Sequence, residues 1–223
     1  MTGKERAYLD PYLRAAEEFG PGFDALLWQS PRAQKLRFET IAQMTTTGGS
    51  VLADIGCGNA DLLLDLHERK LVPAKYIGID GVPQMIEHAR QQARANGIDA
   101  GVFLEHDFVR DQSLPAQLVR DAKADTVVFC GSLNTLTESD AQGVLDRFWI
   151  ALTERPGTTL IFNFLSDRHD RERTPATPPA VRYDPIRMVE WAIERTPLVT
   201  FRHDYLAGHD ATVCMRVPPG PDA

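Results

Sequence analysis

Short apolar runs alternate with segments of helical periodicity through most of the chain, and this alternation limits the folds open to it. Apolar runs of strand length lie at 51–55, 76–80, 101–106, 125–130 and 158–164. Segments with helical spacing lie at 60–70, 83–96 and about 139–153. Strands that alternate with helices are joined by crossovers and lie parallel, so the sequence predicts an α/β fold with a doubly wound sheet.

The C-terminal end departs from this alternation. The strand-like runs 198–206 and 211–217 are separated only by a short loop that contains Gly208. Such a loop is too short for a crossover helix, so the two runs are expected to form an antiparallel hairpin. The prediction is therefore a Rossmann-like sheet of seven strands, mostly parallel, that ends in a C-terminal antiparallel hairpin.

The N-terminal region is predicted to be helical. One apolar stripe at helical spacing consists of Tyr8, Leu9, Tyr12, Leu13 and Ala16. A second helix is expected at 31–44, where Pro31 suits a first-turn position. The length of 223 residues fits one domain over 1–217, with a helical cap at 1–48, a sheet core at 50–217 and a disordered tail at 218–223.

Composition argues against several functional classes. The chain has 31 acidic and 24 basic residues and a net charge of −7, whereas nucleic-acid binding needs clustered lysine and arginine. It has neither an apolar run long enough to span a membrane nor a visible signal peptide. Cys57, Cys130 and Cys214 are few and widely spaced, which indicates reduced thiols without a disulfide framework or a metal site. A cytoplasmic protein is expected.

The turn after the first strand carries most of the functional information. Its sequence is Asp54-Ile55-Gly56-Cys57-Gly58-Asn59-Ala60-Asp61. A nicotinamide-binding turn would have its third glycine at position 61, and a carboxylate there would repel a pyrophosphate. The turn suits instead a cationic nucleoside without phosphate, such as S-adenosylmethionine (SAM).

Acidic residues also end the next two strands. Asp80 closes the second strand and Asp107 follows the third. The carboxyl ends of parallel strands meet at one edge of a sheet, where open α/β sheets bind their ligands. A carboxylate at the end of the second strand can accept both hydroxyls of a ribose. We therefore expect Asp54, Asp80 and Asp107 to line one site, although each acid alone is equally typical of a solvated loop or a helix cap.

These residues give the chain a family resemblance. Over about 50–217 the sequence resembles the class I SAM-dependent methyltransferases, on the motifs Asp54-x-Gly56-x-Gly58-x-Ala60, Gly78-Ile79-Asp80 and Asp107-Phe108 and on the terminal hairpin. The resemblance implies that Asp54 and the turn hold the methionine part of SAM, Asp80 the ribose and Asp107 the adenine amine. The implied cofactor-binding residues are Asp54, Gly56, Cys57, Gly58, Ala60, Asp80, Gly81, Met85, Asp107, Phe108, Cys130 and Gly131.

Two positions differ from the family pattern. Ala60 replaces the third glycine, and its methyl group is expected to narrow the cofactor pocket by one carbon. Gly81 follows Asp80, where a bulky apolar residue often stacks on adenine. Stacking would then come from Val82, Met85 or Phe108.

A narrower resemblance links the chain to a bacterial group of such methyltransferases. It rests on Trp28-x-Ser30-x-x-x-Gln34-x-x-Arg37-Phe38 and on Arg202-His203-Asp204-Tyr205. In that light Arg37 is a candidate to pair with the methionine carboxylate, because its planar fork binds carboxylates in a bidentate manner. The alternative is an exposed position on the helix surface. Trp28, Asn134 and Tyr205 are candidates for substrate binding.

Methyl transfer from a sulfonium is an in-line displacement that depends mainly on positioning and desolvation. An oxygen acceptor would benefit from a general base, and His203 is the candidate, with a structural strand residue as the alternative. The charged, proline-rich stretch 166–183 is either a solvated loop or a mobile lid. We expect a small-molecule acceptor and no metal. The other functions considered are a non-catalytic SAM-binding protein and an α/β hydrolase that uses Ser132.

Overall fold

The computed structural model describes residues 6–170, 172 and 178–220. Its strands are β1 (Val51–Ile55), β2 (Lys75–Asp80), β3 (Gly101–Glu105), β4 (Thr126–Phe129), β5 (Thr159–Leu165), β6 (Val199–Arg202) and β7 (Asp210–Arg216). They form one sheet in the order β3-β2-β1-β4-β5-β7-β6. Only β7 runs against its neighbours, because it pairs antiparallel with both β5 and β6. The predicted sheet and its terminal hairpin are confirmed.

Helices pack on this sheet from both sides. They are α1 (Asp10–Phe19), α2 (Pro31–Met44), α3 (Asp61–Glu68), α4 (Pro83–Ala95), α5 (Leu114–Ala116), α6 (Glu138–Leu152) and α7 (Pro185–Ile193). Pro31 is the first residue of α2, and the Ser30 hydroxyl caps that helix by accepting a hydrogen bond from the Ala33 amide at 3.2 Å. The helices predicted at 31–44, 60–70, 83–96 and 139–153 are confirmed.

Sequence patterns did not predict α7. Its start is well marked, since Asp184 caps the helix by accepting a hydrogen bond from the Ile186 amide at 2.8 Å and Pro185 follows. Only nine residues long, the helix buries Met188 and Trp191 against the sheet. So short an apolar segment after a proline-rich loop has too little periodicity to stand out.

The strand order sets the place of the ligand site. Chain order reverses beside β1, because β2 and β3 lie to one side and β4 and β5 to the other. The helices that follow β1 and β4 therefore pack on opposite faces and leave a crevice at the carboxyl edge of the sheet. Above this crevice α1 and the turn Phe23–Leu26 pack on Val82 and Met85, in an apolar cluster separate from the two larger cores.

Two further findings concern membrane-spanning helices and the predicted tail and lid. Within the described ranges, no helix combines the length and the apolar character that crossing a membrane requires. The predicted tail falls in part on 221–223, and the predicted lid in part on 171 and 173–177, and these residues lie outside the described ones.

Candidate active site

The turn between β1 and α3 requires glycine at its first position. Gly56 has φ +76°, and a Cβ atom there would lie 2.2 Å from the Cβ of Ser132. Its amide donates to the Ile79 carbonyl at 2.7 Å, which ties the turn to the end of β2. This close approach brings the loops after β1 and β4 into contact at the crevice.

Asp54 is a buried carboxylate with one oxygen free of partners. Its Oδ2 accepts a hydrogen bond from the Tyr76 hydroxyl at 2.5 Å, whereas Oδ1 is buried without a partner in the described part of the chain. Burial raises the pKa of Asp54 to about 7, against the opposing effect of the Tyr76 hydrogen bond. A buried acceptor of this kind favours a ligand that brings a positively charged donor.

Asp80 organises the neighbouring backbone. Its Oδ2 accepts from the Gly58 amide and its Oδ1 from the Val82 amide, both at 2.9 Å. Burial raises the pKa of Asp80, and these backbone hydrogen bonds partly offset the rise. Each oxygen keeps a second lone pair, so the carboxylate can still accept hydroxyl groups of a ligand.

Asp107 is covered by the N-terminal segment. The Tyr8 hydroxyl lies 2.8 Å from each of its carboxylate oxygens, and the Arg6 Nε lies 3.4 Å from Oδ2. Burial and the Asp107 carboxylate together raise the pKa of Tyr8 well above its usual value, so the hydroxyl remains a donor. The segment before α1 therefore bridges to the end of β3.

These groups surround one cavity of about 840 Å³. The residues predicted for cofactor binding that line it are Asp54, Gly56, Cys57, Gly58, Asp80, Gly81, Met85, Asp107, Phe108, Cys130 and Gly131. Asp61, which the sequence offered only as an argument against a pyrophosphate, is a fourth carboxylate in the lining. Their contacts with a cofactor remain predictions, but the structure brings them together.

The expectation for Ala60 is corrected. Ala60 has φ +62° and is only 1% exposed, packed in the apolar cluster that contains Leu62 and Leu63. It does not line the cavity. Its methyl group therefore faces the core and does not narrow the pocket.

Leu9, which the sequence placed in a helical stripe but not in the site, covers Gly81. Both Cδ atoms of Leu9 lie 3.2 Å from the position that a Cβ at Gly81 would occupy. Leu9 also lines the cavity, beside Val82 and Met85. An apolar group thus stands over the end of β2, but it comes from Leu9, just before α1 and far away in the sequence.

A second cavity of about 1330 Å³ adjoins the first. The residues that line both are Tyr12, Leu26, Trp28, Gly131 and Thr135. Trp28 stands in the shared wall, 3.0 Å from the position of a Cβ at Gly131. Asn134, a predicted substrate-binding residue, lines the second cavity only.

Arg37 lies in the wall of this second cavity. It is 3% exposed, so the alternative of an exposed helix position is wrong. Its Nε and Nη2 atoms lie 2.7 Å and 2.6 Å from Asp210 Oδ1, and its guanidinium stacks 4.4 Å from the Trp28 ring centre. Both nitrogens thus contact a single oxygen of Asp210 on β7, and Asp210 is the partner of Arg37 in place of the methionine carboxylate.

His203 and Tyr205 are not brought to either cavity. The His203 Nε2 lies 2.9 Å from the Gly208 carbonyl, and the Tyr205 hydroxyl lies 2.6 Å from Thr212 Oγ1. Both side chains fix the connection between β6 and β7, so the structural alternative for His203 is supported. The histidine that does line the second cavity is His209, six residues later.

Ser132 does not have the surroundings of a hydrolase nucleophile. Its hydroxyl donates to the Ile55 carbonyl at 2.5 Å, and no histidine contact is found for it in the described ranges. Its position is explained by contact with the glycine turn.

The polar groups that line the first cavity are chemically suited to bind SAM. The unpartnered Asp54 Oδ1 suits an ammonium group, and the spare lone pairs of Asp80 suit hydroxyl groups. Four carboxylates around one cavity favour a cationic ligand and repel phosphate.

Comparisons with known proteins agree with this fit. A family model described as a methyltransferase domain matches residues 46–157, half of the chain. The ribosomal protein L11 methyltransferase of Aeromonas hydrophila is 36% identical over 80 residues, which cover 36% of this chain and 24% of that protein. The carboxy-S-adenosyl-L-methionine synthase of Sulfurimonas denitrificans is 30% identical over 100 residues, or 41% of this chain and 42% of that protein. The chain therefore spans less than half the length of these curated relatives.

A solved structure shares the fold over almost the whole chain. The complex of DhpI with SAH has a TM-score of 0.61 and 16% sequence identity, and the match covers 96% of each chain. At that identity the likeness concerns the fold alone. Since the family model and the fold agree, the chain belongs to the class I SAM-dependent methyltransferases.

Proposed function

We propose that the protein transfers the methyl group of SAM to a small molecule held in the second cavity, without a metal ion. The observation that carries this proposal is the shared wall at Trp28 and Gly131, which separates an acid-lined cavity from a larger one. The first cavity has the volume of a small-molecule site and the second is larger, and the net charge of −7 disfavours a nucleic-acid acceptor.

The residues of the chain would act by binding and positioning. Asp54 would accept hydrogen bonds from the ammonium group of SAM, Asp80 from the ribose hydroxyls and Asp107 from the adenine amine. Bound SAM supplies an electrophilic methyl group on a sulfonium. Tyr8 and Leu9 cover the cavity from the N-terminal side and exclude water, which favours displacement by an aligned nucleophile.

The proposal is tested by SAM binding followed by methyl transfer. Calorimetry should show SAM binding, and a radiolabelled methyl group should pass to one or more members of a metabolite panel with undiminished rate in EDTA. Tight binding with no transfer to any acceptor would support a non-catalytic SAM-binding protein. The absence of SAM binding would overturn the proposal.

Replacing Asp80 with alanine should weaken SAM binding by about 10- to 100-fold, because two hydrogen bonds to a charged acceptor are lost. Calorimetry measures the effect, and circular dichroism checks that the variant keeps the overall secondary structure of the wild type. Asp99→Ala, at an exposed aspartate, is the matched control. An unchanged SAM affinity in Asp80→Ala would remove this residue from the binding site.

Replacing Leu9 with alanine should weaken SAM binding by about 5- to 10-fold, because part of the apolar cover over Gly81 is removed. Leu198→Ala, at a leucine that is 43% exposed, should leave the affinity unchanged. Equal affinities in the two variants would show that Leu9 does not contact the cofactor.

A further inference from the structure

Arg182 reaches the second cavity from the segment between β5 and α7. Its Nη1 donates to the Ser166 carbonyl at 2.9 Å and lies 3.4 Å from the His209 carbonyl. Its Nη2 lies 3.0 Å from His209 Nε2. These contacts hold the guanidinium at the cavity wall, but none of them supplies a negative charge.

His209 bridges Arg182 and Asp210. Its Nε2 lies 3.0 Å from Arg182 Nη2, and its Nδ1 lies 3.0 Å from Asp210 Oδ2. A guanidinium can only donate, so Nε2 is the acceptor of the Arg182 hydrogen bond.

The guanidinium groups beside the cavity outnumber the buried carboxylates there. Two guanidinium groups, Arg37 and Arg182, lie near a single buried carboxylate, Asp210, and that carboxylate is in direct contact with Arg37. Asp24 also lines the cavity, but it is exposed, so solvent and salt screen its charge. Within the described residues, no carboxylate forms an ion pair with Arg182.

The remainder of the wall is largely apolar and aromatic. Trp28 and Tyr12 face the cavity, together with Leu26, Leu165 and Pro179. Burial lowers the pKa of Arg182, with Arg37 adding to the effect and Asp210 opposing it. A cation held in such surroundings is stabilised by an anionic ligand group that can take the planar fork in a bidentate manner.

We infer that the methyl acceptor is a small anion, whose acidic group pairs with Arg182 and whose apolar body lies against Trp28 and Tyr12. The acidic group is a carboxylate or a phosphate monoester. This inference rests on the proposed function, because it describes the acceptor of the same site. It assigns Arg182 to acceptor binding and not to the cofactor, which is bound in the other cavity.

Three aromatic probes of matched shape test the inference on protein saturated with S-adenosylhomocysteine. Benzoate and phenyl phosphate carry the two candidate anions, and benzamide is the neutral counterpart of benzoate. Calorimetry should show that at least one anion binds more tightly than benzamide. Arg182→Gln should weaken the binding of that anion by about 10- to 100-fold and leave the binding of benzamide unchanged.

Two further variants keep the test decisive. Arg182→Lys retains the charge without the fork, so it should keep part of the anion affinity even where Arg182→Gln folds poorly. Arg32→Gln, at an exposed arginine on α2, should behave as the wild type. Anion binding that is weakened most in Arg182→Gln and less in Arg182→Lys, with unchanged SAM affinity in both, supports the inference.

Three results would overturn it: no binding of either anion, equal binding of anion and amide, or anion binding that is indifferent to Arg182. SAM binding by the wild type is measured in parallel. A protein that binds SAM but shows one of these results retains the proposed function and loses only the anionic acceptor. A protein that binds no SAM loses the proposed function itself.

Discussion

Replacing Asp54 with asparagine should weaken SAM binding by about 10- to 100-fold at neutral pH. The asparagine oxygen can still accept the Tyr76 hydrogen bond, but the amide group then meets the ammonium of SAM donor against donor. Calorimetry on both proteins measures the loss. Asp99→Asn, at an exposed aspartate that lines neither cavity, should leave SAM affinity unchanged.

The Asp54→Asn substitution should also remove the pH dependence of the SAM affinity. The pKa of Asp54 is raised to about 7 in the free protein, and a bound cation favours the ionised carboxylate. Below that pKa, the wild-type affinity should fall by up to about tenfold per pH unit, because binding must release a proton. Titrations between about pH 5.5 and 7.5 should show this slope in the wild type and not in Asp54→Asn. A slope that survives in the variant would assign the proton to another group.

The stability of the free protein should rise on this substitution, whereas its SAM affinity falls. An aspartate whose folded pKa lies above its unfolded value destabilises the folded protein as pH rises from about 4 towards 7. Free Asp54→Asn should therefore unfold at a higher temperature than the free wild type at pH 7.5, although it binds SAM less well. A variant that loses both stability and affinity would indicate misfolding and would not support this account.

Replacing Arg37 with methionine should lower the free energy of unfolding by about 3 to 5 kcal/mol. The change leaves Asp210, which is 1% exposed, as a buried carboxylate without its guanidinium partner. Chemical denaturation at pH 7 measures the loss. Arg32→Met, at an exposed position of the same helix, should change stability by no more than about 0.5 kcal/mol.

A second substitution should recover most of this loss. Arg37→Met combined with Asp210→Asn removes both charges, and a neutral pair in this place does not carry the cost of an isolated buried carboxylate. Burial alone would raise the pKa of Asp210, but Arg37 and His209 more than offset it and hold the pKa low. Without Arg37 the pKa should rise, so the single variant should lose less stability at low pH, where Asp210 is protonated.

These stability measurements also decide between two roles for Arg37. A guanidinium that served mainly the methionine carboxylate would lose SAM affinity on substitution and leave unfolding unchanged. If Arg37→Met unfolds like the wild type, the pairing with Asp210 contributes little to stability.

Much of the fold could be predicted because its signals are local. The apolar run at 51–55, the glycine turn after it and Pro31 at the start of α2 each determine the structure of their own neighbourhood. The acids Asp54 and Asp80 could be placed at one edge because parallel strands end together. No pairing over long distances was needed for these conclusions.

Other parts of the site depend on contacts between distant residues. Leu9 stands over Gly81 and Arg37 pairs with Asp210, and neither pairing leaves a spacing that a single sequence reveals. His203 and His209 both flank the hairpin, and only the path of the connection decides which one faces the cavity. An arginine such as Arg182 in a charged loop cannot be told from a solvated one by composition.

The position of β7 inside the sheet has a consequence for how the protein is made. The strands β1 to β4 can pair as soon as they leave the ribosome, so the acid-lined cavity has its sheet framework early. Arg37 is also synthesised early, but its counterion Asp210 follows 173 residues later, on the strand that inserts between β5 and β6. Until then β5 is an open edge and Arg37 has no buried carboxylate to meet. The wall of the second cavity that holds Arg37 is therefore complete only when β7 occupies its place between β5 and β6.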